Sequence, residues 1–143
     1  MVYEKSDIRI KWKLYEYVSP APAQRWVITE WRKDLLTPRR ADMDVFLRGI
    51  VKKTVWIKPD MDWLKGKHAG FCELRWRGDD RVPHRIGGYF LADKGFVMLA
   101  GWTHNAKKYY PPTALDMLVD RKRRLVIGEA TIREYEVITG RAA

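Results

Sequence analysis

Apolar and basic residues alternate one by one near the start of the chain. The apolar positions are 8, 10, 12 and 14, and positions 9, 11 and 13 between them are Arg or Lys. A period of two is typical of a strand that buries one face, so we expect a first strand from about residue 8 to Val18. The Ser-Pro-Ala-Pro sequence at 19–22 ends this strand and favours a helix start, because proline suits a first helical turn.

Two helices are predicted next. The first carries apolar residues at helical spacing, namely Trp26, Val27, Trp31 and Leu35. Thr37 and Pro38 have the residue types of an N-cap and a first helical position, and they predict a second helix. Its inward side would be formed by Met43, Phe46, Leu47 and Ile50. The short connection between the two predicts an antiparallel helical hairpin.

Turn residues divide the middle of the chain into a loop and three strands. Pro59 and the glycines at 66 and 70 predict an irregular segment over 54–69. Strands are expected at 71–76 and 81–92, joined by a turn at 78–80, and a bulge is expected at the adjacent glycines 87 and 88. The continuous apolar run 96–100 predicts a central strand that is buried on both faces.

The last part of the chain is predicted to be helical. A Pro-Pro-Thr sequence at 111–113 favours a helix start, and Gly128 favours its end. Apolar residues at 132, 135 and 138 recur at helical spacing and predict a final helix. The order of elements indicates an α+β fold, with a small antiparallel meander sheet packed against the helical hairpin and the C-terminal helix or helices. We expect a single domain over 1–143, with a core at about 8–127 and a helical tail at 128–143.

The sequence has 28 Lys and Arg against 18 Asp and Glu, which gives a net charge of +10. This charge indicates what kind of partner the protein binds. Thirteen basic and six acidic residues lie between residues 63 and 125, so this segment carries +7 of the total. A charge of this size favours a polyanionic partner such as RNA. The chain shows no signal peptide, no apolar run of membrane-spanning length and no Cys/His set with zinc-ligand spacing, so we expect a cytoplasmic protein without metal or cofactor.

The candidate chemistry lies on the predicted meander. Alternation places Glu73 and Arg75 on one face of their strand, and Arg85 follows on the next strand. RNA cleavage through the 2′-hydroxyl needs cationic groups on the phosphate and groups that accept and donate protons. Arg, Lys, His and Tyr supply these properties and occur here close in sequence. The two arginines are equally suited to pair with Glu73, so a phosphate role and a structural role both stay open.

The meander also resembles a known family. Leu64-Lys65-Gly66, then Phe71-Cys72-Glu73-Leu74-Arg75, then Arg85, and then Lys107-Lys108 after an apolar strand resemble the RelE/HigB-type toxins of bacterial toxin–antitoxin modules. The similarity is strongest to the phage-derived, HigB-like branch and spans about residues 12–125. It implies a RelE/ParE-toxin-like fold and an mRNA interferase, an endoribonuclease that cuts ribosome-associated mRNA by 2′-hydroxyl attack without a metal.

The resemblance carries over to individual residues. It implies a catalytic set of Arg75, Arg85, His104, Lys107 and Tyr109. The expected RNA-binding residues are Lys65, Lys67, Arg77, Lys108 and Tyr110. The implied partners are mRNA, the ribosome and a cognate helix-turn-helix antitoxin, and a membrane is not among them. Glu73 departs from the pattern, because RelE proper has a basic residue at this position.

This departure keeps two other functions open. A carboxylate within the basic face favours a degenerate, non-catalytic module that binds RNA or an antitoxin. Relatives in the wider superfamily poison DNA gyrase, and a ParE-like gyrase inhibitor is the third candidate. The concentration of Lys, His and Arg around the meander favours RNA over gyrase.

Overall fold

The computed structural model describes residues 10–105, 108–110 and 113–138. The strands are β1 Lys13–Val18, β2 Met61–Trp63, β3 Cys72–Arg77, β4 Pro83–Leu91, β5 Gly95–Asn105, β6 Lys108–Tyr110 and β7 Thr131–Glu134. The helices are α1 Val27–Asp34, α2 Thr37–Ile50 and α3 Ala114–Val126. A single 3₁₀ turn at Gly66–His68 lies between β2 and β3. Two consecutive helices, a meander and a later helix confirm the predicted α+β class.

The seven strands form one mixed sheet. Its order is β2-β3-β4-β5-β1-β7, and β6 pairs with the far end of β5. The meander β3-β4-β5 is antiparallel, as predicted, and so is the pairing of β1 with β7. β1 lies parallel to β5 with Lys13 opposite Gly95, so the first of the described strands occupies the interior of the sheet, between β5 and β7.

Both faces of the sheet are covered over part of their area. On one face, Met43, Leu47 and Ile50 of α2 pack in one cluster with Cys72 and Leu74 of β3. On the other face, Leu118 of α3 packs with side chains of β5, namely Val97, Leu99 and Trp102. The buried sides of α2 and of β3 follow the predicted periodicities. The run 96–100 is buried on both faces, which confirms the predicted central strand.

The predicted bulge lies at the adjacent glycines of β4. The β4–β5 register shifts between Gly87 and Gly88. A Cβ atom on Gly88 would lie 1.9 Å from the carbonyl oxygen of Val97, and one on Gly87 would lie 2.7 Å from a methyl carbon of Leu118. Glycine is therefore required here by close approach of a neighbouring backbone and of α3.

The start of the chain differs from the prediction in two ways. Strand pairing begins at Lys13, because the backbone N–H groups of Lys11 and Trp12 donate to the carbonyl of Val51 instead of to a strand. The first helix begins at Val27 and not at the proline sequence, because Trp26 still forms a bridge with Val18. The predicted irregular segment 54–69 contains β2, which pairs with β3 and forms one edge of the sheet.

The predicted helical tail is wrong. Residues 131–134 form β7, which pairs with β1 with Tyr15 opposite Glu134. β1 would otherwise expose a row of unpaired backbone groups, and this edge outweighs a helical spacing of only three apolar residues. Gly128 ends α3 with φ +81°, as predicted, and turns the chain into β7. Residues 131–134 of the predicted tail are thus part of the sheet.

Candidate active site

A buried carboxylate lies between two arginines on the face of the meander that α3 partly covers. Arg75 is directly opposite Arg85 in the β3–β4 register, and Glu73 precedes Arg75 by two positions on the same face. Glu73 Oε1 accepts hydrogen bonds from Arg75 Nε at 2.9 Å and from Arg85 Nη1 at 2.5 Å. The Glu73 side chain is 1% exposed, whereas that of Arg75 is 31% exposed. We call these three residues the Glu73 cluster.

Asp62 adds a second carboxylate to the Glu73 cluster. It lies opposite Glu73 in the β2–β3 register, and its Oδ2 atom is 3.2 Å from Arg75 Nη2. Two carboxylates therefore balance two guanidinium groups at this point of the sheet. The pairing of Arg75 and Arg85 with Glu73 confirms the structural alternative, and it does not by itself remove a phosphate role, because such pairs can exchange partners.

The Glu73 cluster leaves hydrogen-bonding capacity unused. Glu73 Oε2 and Arg85 Nε are buried and have no hydrogen-bond partner within the described part of the chain. A buried polar atom without a partner lowers stability by about 1–3 kcal/mol. Two such atoms lie where the predicted phosphate contacts lie, as expected of a site that is completed by a ligand.

His104 lies beside the Glu73 cluster. It follows Trp102 by two positions on β5, and Trp102 is opposite Arg85 in the register. Partial burial lowers the pKa of His104, and the positive charges of Arg85 and Arg75 lower it further, while Glu73 raises it. The imidazole is therefore neutral at pH 7 and able to accept a proton. Tyr109 of β6 lies opposite His104 in the β5–β6 register.

A cationic cleft of about 560 Å³ opens at the ends of β3 and β4, next to the Glu73 cluster. Its lining includes four basic side chains, namely Lys58, Arg75, Arg77 and Arg85. Arg75 and Arg85 pair with Glu73, and Lys58 Nζ lies 3.7 Å from Asp62 Oδ2. Asp60 also lines the cleft, and its carboxylate is paired with Lys53. Basic groups remain in excess, and positive charge in a concave surface attracts phosphate groups.

A second groove, of about 660 Å³, lies along β1 and the segment that follows β7. Its charged lining residues are Lys11, Lys13, Lys94, Asp93, Glu134 and Glu136. Three basic and three acidic groups cancel, so this groove lacks the charge that a nucleic acid requires. The cationic cleft is therefore the better candidate for binding RNA.

The structure brings only part of the predicted set together. Arg75, Arg85 and His104 converge, and Arg77 shares the cleft with the two cluster arginines. Lys67 is instead held at the start of α3, 3.4 Å from Asp116, and Lys65 is exposed just before the 3₁₀ turn. The backbone of Lys108, Tyr109 and Tyr110 forms β6. Lys107 lies outside the described residues.

Sequence reasoning missed Asp62 and Lys58. Both belong to the segment that was predicted to be irregular, and only the pairing of β2 with β3 brings Asp62 to Arg75. The alternation in Met61-Asp62-Trp63 is the one signal for this strand, and three residues are too few to identify it.

Metal-site geometry, helix length and similarity to known proteins do not identify the protein further. Within the described residues, no group of three or more His, Cys, Asp and Glu side chains is arranged to hold a metal ion. None of the helices in the described ranges is long and apolar enough to cross a bilayer. Comparison with protein-family models, curated proteins and solved structures gives no match for the chain. The resemblance to RelE/HigB-type toxins therefore remains a sequence-based hypothesis.

Proposed function

We propose that the protein is a toxin-like endoribonuclease that cuts ribosome-associated mRNA and forms a toxin–antitoxin pair with a cognate antitoxin. The observation that carries the proposal is the Glu73 cluster beside a neutral histidine, His104, at the cationic cleft. Arginines held in place by a carboxylate are suited to bind a phosphate through paired hydrogen bonds. A nearby neutral imidazole is suited to accept the proton of a ribose hydroxyl.

The proposed reaction is an in-line attack of the 2′-oxygen on the adjacent phosphorus. His104 accepts the 2′-hydroxyl proton as the new oxygen–phosphorus bond forms and the bond to the 5′-oxygen breaks. Arg75 and Arg85 stabilise the negative charge that develops on the phosphate, and Glu73 orients their guanidinium groups. The leaving 5′-oxygen takes a proton from Tyr109 or Lys107, the two remaining residues of the predicted catalytic set. The products are a 2′,3′-cyclic phosphate and a 5′-hydroxyl end.

The proposed partners follow from the same surface. The ribosome would present single-stranded mRNA to the basic face, and the exposed Lys65 and Lys67 would contribute long-range attraction to RNA. An antitoxin with an acidic or amphipathic segment would neutralise this face or extend an edge of the sheet. A neighbouring gene for a small helix-turn-helix protein would support this pairing.

The proposal is tested by expressing the wild-type chain and two variants in growing bacteria, with mRNA mapped for new 5′ ends. We expect growth arrest and cleaved transcripts with the wild type, and we expect Arg75→Ala and His104→Ala to abolish both. Arg81→Ala is the matched control, because Arg81 is an exposed arginine of the same hairpin outside the Glu73 cluster. Normal growth and intact transcripts with abundant soluble wild type would contradict the proposal.

A second candidate function is a non-catalytic module that binds RNA or an antitoxin. One observation favours it: Glu73 and Asp62 already balance the charges of Arg75 and Arg85. Under this alternative, RNA binding weakens steeply with salt and no cut products form. The third candidate, a gyrase inhibitor, has no specific support in the described residues, and a DNA supercoiling assay tests it directly.

A further inference from the structure

The cationic cleft has an aromatic wall as well as charged residues. Trp76, His84 and Phe46 line it together with the four basic side chains. The rings of Phe46 and Trp76 are stacked, with centroids 5.0 Å apart and planes 21° apart. Trp76 and His84 are 8% and 1% exposed and lie opposite each other in the β3–β4 register. Such a combination of aromatic rings and cations is suited to a nucleotide, which has a flat base and a negative phosphate.

Two nitrogen atoms in this wall have unused hydrogen-bonding capacity. Trp76 Nε1 and His84 Nε2 are buried, and neither has a hydrogen-bond partner within the described part of the chain. The Trp76 atom is a donor in every state. When the Thr103 hydroxyl donates to His84 Nδ1, 3.4 Å away, the neutral ring carries its proton on Nε2, and that atom is the second donor.

Two donors behind one cleft select for an acceptor-rich ligand. Guanine presents two acceptors, N7 and O6, on one edge. Solvent does not reach the two nitrogens, so a ligand that uses them must displace part of the wall. A base that forms hydrogen bonds in return compensates this displacement, whereas an apolar group does not. The unpaired nitrogens therefore favour a nucleobase over a hydrophobic occupant.

We propose that the cleft is a subsite for one nucleotide next to the scissile phosphate, with its base against Trp76 and His84 and its own phosphate near Lys58 and Arg77. The choice of RNA as the ligand rests on the proposed ribonuclease function. Arg75 and Arg85 belong to both the Glu73 cluster and the cleft wall, so the two sites are continuous. A nucleotide in the cleft would thereby set the position of the neighbouring phosphate on these arginines.

The test measures binding separately from cleavage. The probe is a fluorescently labelled trinucleotide with 2′-O-methyl riboses, which lacks the attacking hydroxyl, and fluorescence anisotropy reports its affinity. We expect Trp76→Phe and Arg77→Gln each to weaken binding about 3- to 10-fold, the range that corresponds to one lost hydrogen bond or ion pair. A nucleoside monophosphate should compete with the probe, and inorganic phosphate at equal concentration should not.

Two controls match the two variants. Trp31→Phe alters a ring that packs on Trp76 and His84 but does not line the cleft, and Arg81→Gln alters an exposed arginine of the same hairpin that does not line it. Both controls should bind within twofold of the wild type. Wild-type binding by Trp76→Phe, whatever the effect of Arg77→Gln, overturns the base subsite.

The outcomes separate the subsite from the ribonuclease. Weaker binding by both variants in a protein that never cuts RNA supports the subsite and contradicts the ribonuclease. If the protein cuts RNA but its Trp76→Phe and Arg77→Gln variants bind the probe normally, the result supports the ribonuclease and contradicts the subsite. Thermal unfolding of each variant verifies that the fold is retained.

Discussion

Arg85 on β4 donates from Nη1 to Glu73 Oε1 on β3 at 2.5 Å, and this bond joins two side chains that are 15% and 1% exposed. Both groups are therefore largely removed from water. A buried ion pair contributes little net stability, but removal of one partner leaves an uncompensated charge. The pair thus keeps Arg85 oriented toward the face on which His104 lies, and any change to either partner has consequences for folding as well as for function.

Glu73→Ala should destabilise the protein by about 3–5 kcal/mol, because Arg75 and Arg85 lose their shared carboxylate. Arg85→Ala should have a smaller effect, since Arg75 still donates to Glu73. The double variant should cost clearly less than the sum of the two. Urea unfolding measures all three. Arg77→Ala, an exposed change on the same strand, should stay within about 0.5 kcal/mol of the wild type. Additive effects of Glu73→Ala and Arg85→Ala would contradict the coupling.

The His104 imidazole should titrate below its ordinary pKa of 6.5, because burial and the neighbouring Arg85 disfavour its charged form. NMR of the ring protons measures the midpoint. Arg85→Gln should move this midpoint upward, since it removes a positive charge, and Arg81→Gln should leave it unchanged. On the proposed function, cleavage is constant above the midpoint and falls as pH decreases through it, because a protonated imidazole accepts no proton. A wild-type midpoint at or above 6.5 would disprove the described environment.

Glu16→Ala should destabilise the protein by about 2–4 kcal/mol. The buried Glu16 carboxylate on β1 accepts the backbone N–H groups of Ile28 and Thr29 at 3.0 and 2.8 Å, in the first turn of α1. Its loss leaves these donors without a partner at a buried helix end. Glu30→Ala is the control, because Glu30 is exposed and its surface pair with Arg25 contributes little. Chemical unfolding compares the two variants, and equal effects would show that Glu16 has no special role.

Gly88→Ala should destabilise the protein by more than about 2 kcal/mol, since its new Cβ would lie 1.9 Å from the carbonyl oxygen of Val97. Gly49→Ala, in α2, places its Cβ in open space and should stabilise the protein by up to about 1 kcal/mol through helix propensity. Thermal unfolding of both variants tests the pair. A Gly88→Ala variant as stable as the wild type would show that β4 and β5 are not so closely opposed.

Local patterns predicted the elements whose buried residues follow one period over a sufficient length. The apolar alternation of β3 and the helical stripe of α2 are examples, because Cys72, Leu74 and Trp76 pack in one cluster with the inward side chains of α2. The tail failed because its periodicity was short and its structure depends on β1. Tyr17 and Ile132 are opposite each other in that pairing, and they are far apart in sequence. A free strand edge outweighs weak local propensity.

Arg75, Arg85 and Glu73 of the candidate site were predictable from the sequence, whereas Asp62 was not. Arg75 and Arg85 lie on strands that turn residues delimit, so their convergence follows from the meander. Asp62 lies close to Arg75 only because β2 pairs with β3, and no periodicity in the sequence predicts this pairing. Glu73 departs from the family pattern, and the sequence also offered it as the partner of the two arginines. In the structure it is the group that holds the two arginines together.

The position of β1 between β5 and β7 affects how the chain folds during synthesis. β1 emerges from the ribosome before the other described strands, but its two neighbours in the sheet contain Gly95 and Glu134, which are made much later. Contacts between such distant residues slow folding, because long loops must close before any pairing is gained. A nascent chain that ends before residue 131 has an unprotected edge along β1 and a carboxylate, Glu16, without its partner Arg133. The sheet that carries the Glu73 cluster is therefore completed only after β7 has been synthesised.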